Sequence, residues 1–527
     1  MRTLSESTKN LLAELHKPVS RLRTFLNRET ERRRELVAQV GASGERVAAA
    51  RLAPFLLDAG LRTEVMATLR LLLKDSSYKE LLWFHEVRGA VLDYGYQAGP
   101  NWWQARPKDV SEVSDVWSLG LMSFHPSGYV RQAAVDALKK LDDSPSLAFL
   151  LIRANDWVVP VRVNASRAVY ERIAPEFAEQ LALWWPLVLR LGQSTRGDHS
   201  RLFSAVRALL LSDLEALRAG LRSDDRHVRR SCYELALGDT SAKWVLDDAL
   251  ADSDPMIRRQ GALAVVRRHD TDRFEYLARL STDRVALVRR IIIDALGRED
   301  NPAAKDALIR TALDTNASVR KRAQHYLQRR WALNVAAFYR DACRADAPPA
   351  PAVLGLSETG NAQDAARIAN FLNDESSMLR QAAVRGLAAV ASSDYLDSFY
   401  VALGDLSARV SHAAREAILG SSTSPRMDAL EALAAGDRFV HSRKNALRIL
   451  AQAPGWCALA PLIRALAHAD DSVRGFCLAM LDRWRAPAFL SPSNSQAAEI
   501  VAAMQSSAKA LPEARRRYIE AELGRWR

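Results

Sequence analysis

The chain has 527 residues, 48% hydrophobic and 26% charged, with 74 Lys and Arg against 62 Asp and Glu, a net charge of +12. This composition suits a folded chain rather than a disordered one, and no run approaches the roughly 18 to 20 apolar residues of a membrane span. Four scattered cysteines (Cys232, Cys343, Cys457, Cys477) without C-x-x-C spacing argue against a disulfide framework or zinc site and fit a reducing cytoplasm.

Met1–His16 lacks a charged-then-apolar pattern, so export is not expected. Leu4, Leu11, Leu12 and Leu15 give helical spacing, Pro18 interrupts it, and Leu22–Gln39 resumes with Arg32, Arg33 and Arg34. That arginine run reads as a solvated face balanced by Glu29, Glu31 and Glu35. Gly41–Gly44 reads as a hinge, and Arg46–Tyr96 as longer helices with turns at Asp58–Gly60 and Asp75–Ser77. Tyr94–Trp103 then gathers two tyrosines and the adjacent Trp102 and Trp103 around glycine and proline. These rings plug a gap in the packing or form a contact surface, since Trp and Tyr are favoured hot-spot residues. Trp184 and Trp185 form a second such pair.

From Val113 onward a unit recurs. Asp252–Val266, Asp283–Gly297 and Asp314–Leu327 each carry an Asp, an Arg six places later and a helical run of Ala and Leu. The arginines Arg258, Arg289 and Arg320 are 31 apart, as are Arg131 and Arg162 earlier. Further units centre on Arg229 and Arg380, while Ser411 and His441 stand at the marker position of two later ones. A unit is hidden near Asp346–Gln363, where a Pro-rich stretch is the best candidate for a boundary or bend.

This pattern resembles the HEAT repeat, in particular the short bacterial variety also found in phycobilisome-lyase-type proteins. The resemblance covers about Val113–Trp484 and implies an all-α fold, a right-handed HEAT-like α-solenoid with helical N- and C-terminal caps. The expected organisation is an N-terminal helical cap region over 1–110 and a first array over 111–345. A second array over 346–490 follows the Pro-rich break, and a C-terminal helical cap spans 491–527. The resemblance further implies that the Asp lies in the turn within each helix pair. The marker Arg would then bind Asp residues of its own and the next unit.

Arg230, Arg259, Arg290 and Lys321 each follow a marker Arg by one position, a step of roughly 100° that turns them away from it. With Arg267 and Arg268 they make a candidate basic stripe for nucleic acid or an acidic partner. Enzyme chemistry finds less support. His85-Glu86 is a lone His-Glu dipeptide, unlike the repeated ones of HEAT-like di-iron hydroxylases, so no metal site is assigned. Trp157 beside Asp156 is a thin counterpart to the Trp and Asp of HEAT-like DNA glycosylases, and no lyase residue can be placed. The function expected is a non-enzymatic scaffold that binds a macromolecule, a protein, in a cytoplasmic multi-subunit assembly. It needs no cofactor and no membrane. The alternative is nonspecific nucleic-acid binding through the basic stripe. Trp102, Trp103, Trp184 and Trp185 are the candidate partner-binding aromatics.

Overall fold

Helices in this chain begin where short polar side chains and prolines can serve a free helix end. Asp115, Asp254, Asn301, Asn316 and Asp470 cap helices with side-chain oxygens that accept from backbone N–H groups. Pro145, Pro160, Pro255, Pro302 and Pro351 sit in first turns, where a missing N–H costs nothing. The computed structural model describes residues 4–17, 28–86, 102–239, 243–436, 439–467 and 470–526. Among the described residues there is no strand, and no helix is long and apolar enough to cross a membrane.

The chain divides into two compact units, Met1–Arg268 and His269–Arg527. In the first, helix Arg28–Ala42 packs between Glu6–Leu15 and Arg62–Leu73, and Arg62–Leu73 covers Val116–Met122. Helix pairs follow, from Val116–Met122 with Gly128–Leu138 to Lys243–Ala251 with Pro255–Arg267. The arginine run is not a plain solvated face. Arg33 is only 13% exposed, donates to Asp58 and the Leu15 carbonyl, and lies over the Phe55 ring, while Arg34 reaches the Gly60 carbonyl. Gly41 is no hinge either: helix Arg28–Ala42 runs through it, close against Thr68, and the left-handed turn falls at Gly44, φ 66°.

The second unit holds pairs from Arg273–Leu280 with Ala286–Leu296 to Asn494–Ser506 with Glu513–Gly524. Helix Ala317–Trp331 shows how each is one-sided: Val319, Ala323 and Leu327 are buried, while Lys321, Arg322 and Gln328 are exposed. The second helices of neighbouring pairs pack on one another, as from Ser377–Val390 through Ala408–Gly420 to Val440–Leu450. The Pro-rich stretch lies within this unit and forms the turn inside a helix pair, with Pro349 preceding helix Ala350–Thr359 and that helix packed on Val335–Ala342.

The marker arginines form rungs between successive pairs. Arg289 donates through Nε and Nη2 to Asp314 at 2.6 and 2.7 Å, and Arg380 does the same to Asp405 at 2.8 and 2.9 Å. Nη1 instead turns back to the chain's own turn, to the Asp283 carbonyl at 2.6 Å and the Asp374 carbonyl at 2.8 Å. The unit's own Asp therefore offers a backbone carbonyl rather than its carboxylate, which corrects the expected pairing. That carboxylate is already used: Asp314 Oδ1 accepts from Asn316 N at 2.7 Å, closing its own turn while it holds the preceding unit's Arg. Where the next turn lacks a suitable Asp, the rung changes partner, and Arg320 binds Glu358 on helix Ala350–Thr359.

Candidate functional site

One rung in the first unit differs from the rest in being fully enclosed. Arg131, on helix Gly128–Leu138, donates to Asp156 at 2.9 and 3.0 Å, and Arg153 adds a third bond at 2.7 Å. The three side chains are 1% exposed or less. Burial alone would raise the Asp156 pKa, but the Arg131 hydrogen bonds and the Arg153 charge outweigh it and hold the carboxyl below its ordinary value. Arg131 Nη1 also caps the turn before its helix, donating to the carbonyls of His125 at 2.9 Å and Pro126 at 2.7 Å.

His125 ties this turn to the segment before it. Its Nδ1 accepts from Ser127 N at 2.9 Å, which leaves Nε2–H to donate to the Trp102 carbonyl at 2.7 Å. Burial, reinforced by the Arg131 charge, lowers the imidazole pKa, so the ring is neutral at physiological pH. The Trp102 ring packs on His125 at a centroid distance of 4.9 Å. Gly128 lies against Val158, where a Cβ would come within 3.2 Å of that side chain, so the helix start and the Asp156–Val158 turn touch.

Large side chains face solvent around this rigid network. Tyr129 is 78% exposed, Trp157 61%, Val163 57%, Val159 55% and Trp103 46%. The Trp157 ring lies 5.3 Å from the Arg131 guanidinium, so the buried rung also orients the ring. Aromatic rings with aliphatic neighbours, held on a fixed frame, suit contact with another protein. The sequence signal for this patch lies one place after the rung Asp. Ser253, Arg284, Thr315 and Glu375 occupy that place in other units, and Trp157 occupies it here.

The aromatics singled out from sequence part company. Trp103 is exposed, but Trp102 is in the core. Trp185 is 2% exposed and stacks on Phe203, while Trp184 is half-buried with Nε1 donating to Ser144 O at 2.8 Å. The basic residues are also unlike one another. Arg230 does not turn away from the rungs; it binds Asp254 at 2.8 and 3.0 Å because that carboxylate caps the next helix. Arg259 and Arg268 are half-buried, whereas Arg267, Arg290 and Lys321 are exposed, the last two in the second unit. His85 of the His-Glu dipeptide lies against Phe124 and beside Arg153.

Stacked helix pairs joined by recurring arginine rungs define an α-helical repeat protein. Residues 242–328 match the family described as HEAT repeats, so the chain carries HEAT repeats there. No curated protein matches it. Among solved structures it is similar to yeast importin-beta (Kap95p), at 12% identity and a TM-score of 0.39, over 98% of this chain and 74% of that one. It is similar also to Kap95p with RanGDP, at 11% identity and a TM-score of 0.37, over 98% and 74%. A structure from work on tubulin recruitment by TOG domain arrays matches at 11% identity and a TM-score of 0.25, over 77% of this chain and 99% of that one.

Proposed function

We propose that this protein is a non-enzymatic scaffold that binds a protein partner through the patch of Trp103, Tyr129, Trp157, Val159 and Val163. The observation that carries the reading is exposed aromatic and aliphatic surface mounted on a buried ion network. A partner meets side chains whose positions are already fixed, so little ordering entropy opposes binding. The proposal places the assembly in the reducing cytoplasm, where the four unbridged thiols stay reduced. The test is affinity capture with the tagged full chain after nuclease treatment, comparing wild type with Tyr129→Ser/Trp157→Ser. Loss of hot-spot rings costs about 2 kcal/mol or more, roughly 30-fold in affinity. The expected result is a nuclease-resistant partner that the double variant retains at least tenfold less well. Equal retention by both proteins would refute the reading.

A further inference from the structure

The ladder breaks in the second unit, and the residue at the break is tied through Asn445 to the arginines of a nearby cavity. Ser411 follows Arg380 by the 31-residue period and is, like it, the fourth residue of its helix, so a short hydroxyl stands where a rung is due; in Val440–Leu450 that place belongs to the buried Arg443 rather than to His441. Ser411 Oγ donates to Leu403 O at 2.7 Å and accepts from Asn445 Nδ2 at 2.9 Å. The Asp405 carbonyl, which a marker Arg would otherwise cap, receives His441 Nε2 at 3.0 Å.

Asn445 is buried, and its amide is oriented by Ser411, which leaves Oδ1 to accept. Arg415 donates to this oxygen at 2.9 Å and Arg448 at 3.1 Å. Two guanidinium groups thus converge on one neutral atom, an arrangement that like charges disfavour unless an anion joins them. The carboxylate bonded to Arg415 is its exposed neighbour Glu416, and Arg448 lies 4.7 Å from the Phe476 ring centre. Burial first, then the Arg415 charge, lowers the Arg448 pKa, as expected for a cation crowded by another. Arg415, Arg448, Arg483 and Glu416 line a cavity of about 820 Å³, with Leu462, Met480 and Trp484 as apolar wall.

We propose that this cavity binds an acidic, partly apolar peptide segment of a protein partner, with a carboxylate between Arg415 and Arg448 and an aliphatic side chain against Met480 and Trp484. Three cations against one carboxylate supply the charge complementarity, and planar guanidinium groups match a carboxylate in two-point contact. The apolar wall favours a peptide over a nucleic-acid backbone, which binds along open rows of cations. The inference rests on the scaffold reading only in taking the partner to be a protein.

The experiment is fluorescence anisotropy of the full chain with labelled short peptides that mix acidic and apolar residues. The same peptides with Gln and Asn for the acids, and oligothymidine, serve as controls. The expected result is saturable binding of acidic peptides that weakens with salt, falls at least tenfold in Arg448→Gln and several-fold in Arg483→Glu, and is unchanged in Tyr129→Ser/Trp157→Ser. Arg483 is exposed, so its variant carries the test even where Arg448→Gln fails to fold. Absent binding, binding indifferent to the arginine variants, or equal binding of the amide peptides would overturn the proposal. Oligothymidine competing as well as the peptides would overturn the choice of ligand. Failure here, with partner capture still lost in Tyr129→Ser/Trp157→Ser, removes this cavity and leaves the aromatic patch standing.

Discussion

Replacing Asp156 with Ala removes the carboxylate on which Arg131 and Arg153 converge and leaves two guanidinium groups in the core. It also removes the acceptor for Val158 N, bonded at 2.8 Å, so the turn that carries Trp157 loses its closure. Taking one partner from a buried ion pair costs about 3–5 kcal/mol. The rung between Arg289 and Asp314 is 13% and 8% exposed, so Asp314→Ala, where water relieves the orphaned charge, costs about 1–3 kcal/mol. Acid adds a second signature. The folded Asp156 pKa is depressed, so its stabilisation is fully present above the ordinary carboxylate value near about 3.9 and is lost as pH falls through the lower folded value. Wild type therefore loses stability more steeply in acid than Asp156→Asn does. Urea unfolding followed by circular dichroism, at neutral pH and in a series down to acid, measures both effects. A midpoint for Asp156→Ala equal to wild type, or a smaller loss than Asp314→Ala, would refute the reasoning.

Other side chains give separate tests. A Cβ at Gly120 would lie 2.1 Å from the Phe149 ring, so Gly120→Ala overpacks the first repeats; a loss of about 1–3 kcal/mol in calorimetry is expected, partly restored by Phe149→Leu. Trp185→Ala opens a cavity beside Phe203 and costs about 3–5 kcal/mol, whereas Trp157→Ala leaves thermal unfolding within about 1 kcal/mol of wild type, because its ring is mostly in solvent. Burial pushes the Cys232 and Cys477 thiols up to about 12 and the Cys343 thiol to about 11. Half-buried Cys457 is then the thiol that reacts first with a disulfide reagent in the native protein, and Cys457→Ser abolishes the fast phase.

The repeat was legible because each Asp-to-Arg interval lies within one turn and helix start, as from Asp283 to Arg289. The rung to the next unit was expected only through the HEAT resemblance and has no local signal, since Arg289 finds its carboxylate 25 residues away, in the turn of the next pair. Charge runs mislead for a related reason: Arg33 looks like surface in sequence, yet its stem and head are taken up by Phe55, Asp58 and the Leu15 carbonyl. Adjacent tryptophans were read as pairs, but Trp102 and Trp103 lie on a 3-10 turn, where neighbours point about 120° apart, so Trp102 enters the core while Trp103 meets solvent. The Arg415–Arg448 cavity left only one trace, the loss of the marker Arg at Ser411. The cavity is lined by side chains from four helices, Ala408–Gly420, Val440–Leu450, Leu459–Arg464 and Asp471–Arg483, and no local pattern encodes that.

The central claim, that a protein docks on the Tyr129–Trp157 patch, is tested most directly by photocrosslinking. A benzoylphenylalanine placed at Val163, inside the patch, is compared in cells with the same group at the exposed Gln505. The account predicts a discrete, nuclease-resistant protein adduct from Val163 that is absent at Gln505 and is lost when Trp157→Ser is added. Identical adducts from both positions, no adduct from Val163, or one that nuclease removes would contradict it.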